Sequence, residues 1–148
     1  MTFRRYAVFA AILLAVALTL ATQAITAQSR ETFKARLSAL PADARTRAAL
    51  AGSGSVTAIL EGTKLSVSGS FEGLVTPATM ANLHDAVAAG VRGPAIADLT
   101  IAKATSGMIT GTVELTAPQL ANLHKGGLYV EIHSEKAPDG AIWGWLLK

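Results

Sequence analysis

Apolar and polar residues alternate with period 2 through most of this chain, the pattern of strands with one buried and one solvated face. The clearest case is Lys64–Glu72, where Leu65, Val67, Gly69 and Phe71 fall on one side and Lys64, Ser66, Ser68, Ser70 and Glu72 on the other. Val56, Ala58 and Leu60 precede it in phase within Gly54–Leu60, and the intervening Glu61-Gly62-Thr63 predicts a hairpin. Thr32–Leu40, Ala95–Ile101 and Met108–Leu115 carry the same alternation. It is strongest at the end of the chain. There Leu128, Val130 and Ile132 alternate with Tyr129, Glu131 and His133. Beyond Pro138-Asp139-Gly140, which reads as the connecting turn, Ile142, Gly144 and Leu146 alternate with Ala141, Trp143, Trp145 and Leu147.

Helical signals are few. Ala42–Leu50, with Asp43 as cap and Gly52 as stop, predicts one or two turns, and Thr116–His124 predicts a short capped helix with Leu120 and Leu123 on one side. Thr76–Gly90 supports two readings. Pro77, the spacing of Met80, Leu83 and Val87, and a terminal Gly90 favour a helix, whereas Thr79–His84 also fits a strand with Asn82 and His84 on one face. The tetrapeptide Ala-Asn-Leu-His stands at 81–84 and again at 121–124, but the flanks do not match and coincidence is the better reading. Short strands, frequent glycines and no long helix predict an all-β chain. The expected fold is a Greek-key or immunoglobulin-like β-sandwich of about 7–9 strands with one or two short helical segments.

The first residues follow another rule. A basic start (Arg4, Arg5), an apolar run over Tyr6–Ala21 and small residues at Ala24 and Ala27 form a secretory signal peptide, whose helix precedes the domain. Cleavage after Ala27 is expected, with Ala24 as the alternative site and an uncleaved anchor helix as the alternative fate. This divides the chain into 1–27, the signal, and 28–148, the domain, and places the domain in the periplasm or outside the cell. Losing Arg4 and Arg5 leaves 11 basic against 10 acidic residues and a net charge of +1, so the basic balance of the whole chain is no nucleic-acid footprint. With no cysteine, the exported domain holds itself by burial and sheet hydrogen bonds and has no thiol chemistry.

Five motifs occur in order: Gly69-Ser-Phe-Glu-Gly-Leu74, a His-bearing segment ending at His84, Gly90-Val-Arg-Gly-Pro94, Leu128-Tyr-Val-Glu-Ile-His133 and Pro138-Asp-Gly-Ala-Ile-Trp-Gly144. Together they resemble the CHRD (chordin-type) domain over roughly residues 33–148. The resemblance implies an all-β Greek-key or immunoglobulin-like domain in an exported protein, no established enzymatic activity, and a strand at Thr79–His84. The departures are specific. Where the family has His-x-His this chain has Asn82-Leu83-His84; the family's Asn before the later histidine is Glu131; the Glu and Arg of the last motif are Ala141 and Trp143.

Two constellations carry candidate chemistry. His84 and His133, with Glu131 and Asn82 nearby if the strands pair, form a candidate polar or metal cluster, since imidazole and carboxylate suit zinc or copper. A Greek-key strand bearing His-x-His invites comparison with copper/zinc superoxide dismutase, but that chemistry needs more histidines than the three present. The expectation is therefore no metal and no cofactor, with both histidines hydrogen-bonded as structural polar groups. The second constellation is a candidate binding face of Trp143, Trp145 and Tyr129, suited to a sugar or protein partner unless a loop covers it. Glu131 is the one carboxylate inside an otherwise apolar strand, and pairing with His133, Lys125 or Arg92 is expected. No nucleophile elbow or phosphate loop is present. The preferred reading is a non-enzymatic exported domain that acts by binding or structural association with an unknown protein or glycan. It involves neither nucleic acid nor, after signal cleavage, membrane. The alternatives are a metal-binding, possibly redox-active, protein using His84 and His133, and a glycan- or partner-binding module working through Trp143 and Trp145.

Overall fold

The computed structural model describes residues 29–148, and the expected signal peptide at 1–27 lies outside them. Eight strands and one helix follow in the order β1 (Arg30–Ala39), β2 (Ser53–Glu61), β3 (Lys64–Glu72), β4 (Ala78–Asp85), β5 (Ala95–Ile101), β6 (Gly107–Glu114), α1 (Ala117–His124), β7 (Leu128–Ser134) and β8 (Ala137–Trp145). All pairings are antiparallel, and the strands close into a barrel in the spatial order β1-β2-β3-β6-β5-β4-β7-β8. Strands β4 to β7 lie in the order 7-4-5-6, a Greek key.

Barrel closure corrects the expected sandwich. The decisive pairs are Ser38↔Trp143 and Ala39↔Ile142 between the first and last strands, extended by Lys34↔Leu147. One apolar face per strand serves two stacked sheets and a closed barrel equally well, so alternation alone does not separate them. Closure also removes the free edges that β1 and β8 would otherwise present.

The alternating residues fill the interior as the sequence predicts. Phe33, Leu37, Leu65, Ile109, Leu128, Ile132, Ile142 and Leu146 are almost completely buried. Each contributes about 1.5–3 kcal/mol by leaving water. The hairpin between β2 and β3 pairs in unbroken register from Ser53↔Glu72 to Glu61↔Lys64.

Three local readings are settled or corrected. Residues 79–84 lie within β4, a strand, because β4 is flanked by β5 and β7 and its Ala81 and Leu83 enter the core. Ala42–Leu50 forms no helix. It is a run of hydrogen-bonded turns, started by the Asp43 Oδ1 accepting from the amides of Arg45 (2.8 Å) and Thr46 (2.9 Å). Helix α1 starts as expected, with Thr116 and Gln119 forming a reciprocal capping box and Leu123 buried. Ala-Asn-Leu-His is thus strand at 81–84 and helix at 121–124, two structures from one tetrapeptide, as befits a coincidence.

The third correction shapes the site. Pro138-Asp139-Gly140 is not the turn between the last two strands; Glu135 and Lys136 are. Register passes from Ser134↔Ala137 to Ile132↔Ile142, so β8 carries extra residues opposite His133 and bulges there. Pro and Gly suit a bulge as well as a turn, for the same reasons: proline lacks a ladder donor, and Gly140 takes a positive φ of 113°.

Candidate functional site

Strand β7 is buried on both faces. Its inward residues belong to the barrel core. Its outward residues Tyr129 and Glu131, both fully buried, lie beneath the chain that joins β4 to β5 and beside the β8 bulge. The register sets Glu131 opposite Asn82 on β4 and Trp143 on β8, Tyr129 opposite His84 and Trp145, and His133 opposite Met80. His84 therefore stands on one side of Glu131 along the sheet and His133 on the other.

Their ligand atoms converge. One nitrogen from each of His84 and His133 and one oxygen of Glu131 lie within 4.8 Å of one another. His84 Nδ1 is 2.9 Å from the Gly93 carbonyl oxygen and His133 Nδ1 is 2.8 Å from that of Pro138. A carbonyl only accepts, so in each neutral ring Nδ1 carries the proton and Nε2 keeps its lone pair. His84 Nε2 is 3.7 Å from Glu131 Oε2 and has no hydrogen-bond partner; both Glu131 oxygens likewise lack one.

The loop and the bulge supply the surroundings. Arg92 places Nη1 3.3 Å from Glu131 Oε1 and donates from Nη2 to the Asp139 carbonyl (2.7 Å). Its guanidinium also lies 5.7 Å from the centre of the Trp143 ring, a cation–π contact. Gly93 donates its amide to the Tyr129 hydroxyl (3.2 Å), and a side chain there would run into the Asp85 carbonyl. Gly140 comes so close to Glu131 that a Cβ would clash with Oε1. Helix α1 anchors the loop from behind, as Asn122 donates to Ala86 O (2.7 Å) and to Asp85 Oδ1.

The aromatic strip exists and is longer than expected. His84 stacks on Tyr129 (4.7 Å between centroids), Tyr129 meets Trp145 (5.0 Å), and Trp145 meets Trp143 edge-on (4.6 Å). Trp143 and Trp145 are half-buried, whereas Tyr129 is sealed and takes no part in the accessible face. Burial pushes the Tyr129 phenol up from its ordinary value, opposed by its hydrogen bond to Gly93 and reinforced by the charge of Glu131.

Of the residues singled out in the sequence, the structure brings His84, Glu131 and His133 together. Asn82 shares their face but donates its amide to Asp98 (2.6 Å) and stands outside the cluster. His124 lies elsewhere, with Nδ1 2.8 Å from the Leu120 carbonyl and Nε2 3.2 Å from Glu31. Sequence reasoning missed the positioning roles of Gly93, Pro138 and Gly140. It named Arg92 only as one of three partners for Glu131.

The CHRD domain family model matches residues 19–146. The chain belongs to the CHRD domain family. CHRD domains are typically extracellular or secreted, and membership points to a binding module rather than an enzyme. No helix among the described residues of this CHRD domain is long and apolar enough to cross a membrane. No curated protein and no solved structure matches the chain.

Proposed function

We propose that this CHRD domain is an exported, non-enzymatic metal-binding module that holds one divalent transition ion between His84, Glu131 and His133. The observation that carries the reading is the convergence of three ligand atoms within 4.8 Å while both imidazoles spend Nδ1 on backbone carbonyls. Such outer hydrogen bonds orient ligating imidazoles and raise their basicity. Two imidazoles and a carboxylate suit zinc or copper and leave a fourth position open. This departs from the expectation that no metal is bound, which weighed the count of histidines and not their placement. Export is supported by the basic–apolar–small order of residues 1–27 and by the family.

The test is calorimetric titration of the chelator-stripped domain with zinc and copper, with metal content measured afterwards. One ion per chain is expected, and His84→Ala and His133→Ala should each weaken binding at least about tenfold, the range seen when metal sites lose supporting groups. Metal uptake unchanged in the double variant would overturn the reading. So would its absence from the parent protein, which would leave Glu131, Arg92 and His84 as a closed ion cluster.

A second reading, a glycan or protein partner at Trp143 and Trp145, is favoured by the half-burial of both indoles on one face. Tryptophan emission that shifts when an oligosaccharide panel is added supports it. Emission unmoved by every member of that panel, in a chain that still takes up zinc, separates the two.

A further inference from the structure

Beside the His84–Glu131–His133 cluster, between the Ala44–Ala49 turns and the β8 bulge, lies a groove of about 210 Å³. Arg45, Arg92 and Lys136 line it together with the apolar side chains of Leu40, Leu50 and Pro138. The carboxylate in its lining is that of Asp139, so three cations face one anion. Among the described residues no carboxylate pairs with the side chain of Arg45 or Lys136. Gly140 and Arg92 belong to both places: each lines the groove and each touches Glu131.

We infer that the groove is a binding site for a small organic anion, a carboxylate on a compact apolar body, and that Arg92 couples it to the Glu131 cluster. Excess positive charge selects the anionic end, and the planar fork of arginine matches a carboxylate. The apolar walls receive the body. The size excludes a drug-sized ligand, whose sites run to about 300 Å³ and above.

The coupling rests on the metal-binding reading; the anion site does not. Without metal, Arg92 offsets the charge of Glu131. A divalent ion takes over that carboxylate and repels the guanidinium, which then turns to the groove and to an anion there. Metal and anion therefore favour one another. By linkage, each raises the affinity of the other by the same factor.

Benzoate is the probe, with benzamide as a neutral analogue of the same shape, titrated into the full domain before and after zinc loading. Benzoate should bind and benzamide should not. Zinc should tighten benzoate at least about fivefold, the lower end of ordinary coupling between sites. Arg45→Ala with Lys136→Ala should abolish benzoate binding and leave zinc affinity in benzoate-free buffer unchanged. Arg92→Lys, which keeps a cation against Glu131 but loses the fork, should remove the coupling. Failure of benzoate to bind, or binding that survives the Arg45/Lys136 double variant, overturns the anion site. Equal benzoate affinity with and without zinc overturns the coupling. A chain that binds benzoate through Arg45 but takes up no zinc keeps the anion site and overturns the coupling together with the metal reading.

Discussion

Glu131 is a carboxylate with no solvent exposure on the outside of a barrel, held under a loop by one arginine and one histidine. Burying an ion costs several kcal/mol before pairing, and removing a partner leaves that cost uncompensated. The tightest constraint on it is the absence of a side chain at residue 140. Gly140→Ala would set a methyl group against Oε1 and force a positive φ on an alanine. We expect it to destabilise the domain by at least about 1–3 kcal/mol, the scale of local backbone strain, and to abolish zinc binding. Urea unfolding and calorimetry on the variant check both; a variant as stable as the parent would show that the bulge yields. Glu131 was legible in the sequence as the lone carboxylate in an apolar strand. Gly140 was not, because nothing in a sequence without contacts tells a glycine needed for closeness from one needed for a turn.

At the scale of elements, period 2 located β2, β3 and β6 almost to the residue, since each has one face in the core, and β7 because its outward residues Tyr129, Glu131 and His133 are polar although mostly buried. It faltered at β4, where Met80, Leu83 and Val87 also fit a helical spacing that competes with the alternation of Asn82 and His84. It also misplaced the last turn, because Pro-Asp-Gly is turn chemistry and here makes a bulge. Where elements meet at the chain ends, Glu31 on β1 receives the Lys148 ammonium (2.6 Å) and lies 3.2 Å from His124 Nε2. These contacts, the hydrogen bond from Lys148 first, lower the Glu31 carboxyl below its ordinary value of 4.5. A depressed acid stabilises the fold above the unfolded value and loses that contribution as pH falls through the folded one. The difference in stability between the parent and Glu31→Gln should therefore be present above about 4.5 and shrink as pH falls below it and through the lowered folded value. Both carboxyl and partners are on the surface, so the difference is small. Urea titrations across pH 3–7 measure it, and a gap that persists into acid contradicts the assignment.

At the scale of the whole molecule, all-β character followed from short alternating segments, but closure depended on pairing residues more than a hundred positions apart, such as Ser38 and Trp143. No local pattern encodes that meeting. The site was unreadable for the same reason: His84, Arg92, His133 and Gly140 come from four places in the chain, and only the β4–β7–β8 register assembles them. The barrel is not uniformly tied. β5 meets β6 through Thr100↔Thr110 and Ile101↔Ile109 alone, whereas β7 is paired along most of its length with both β4 and β8. Regions with few sheet hydrogen bonds open first. Amide hydrogen exchange should thus release β5 and the facing amides of Gly111–Glu114 well before β7. Uniform protection around the barrel would contradict a weak seam.

The β8 bulge has a consequence for how such a domain diversifies. The pairs on either side of it, Ser134↔Ala137 and Ile132↔Ile142, are those of an intact ladder, so the excursion at 138–140 is a module inserted into a finished scaffold. Recoding Pro138 and Asp139, with Gly140 kept for its contact with Glu131, resets what stands beside His133 on that scaffold. A library confined to Pro138 and Asp139, with Gly140 kept, would sample new specificities on an unchanged frame.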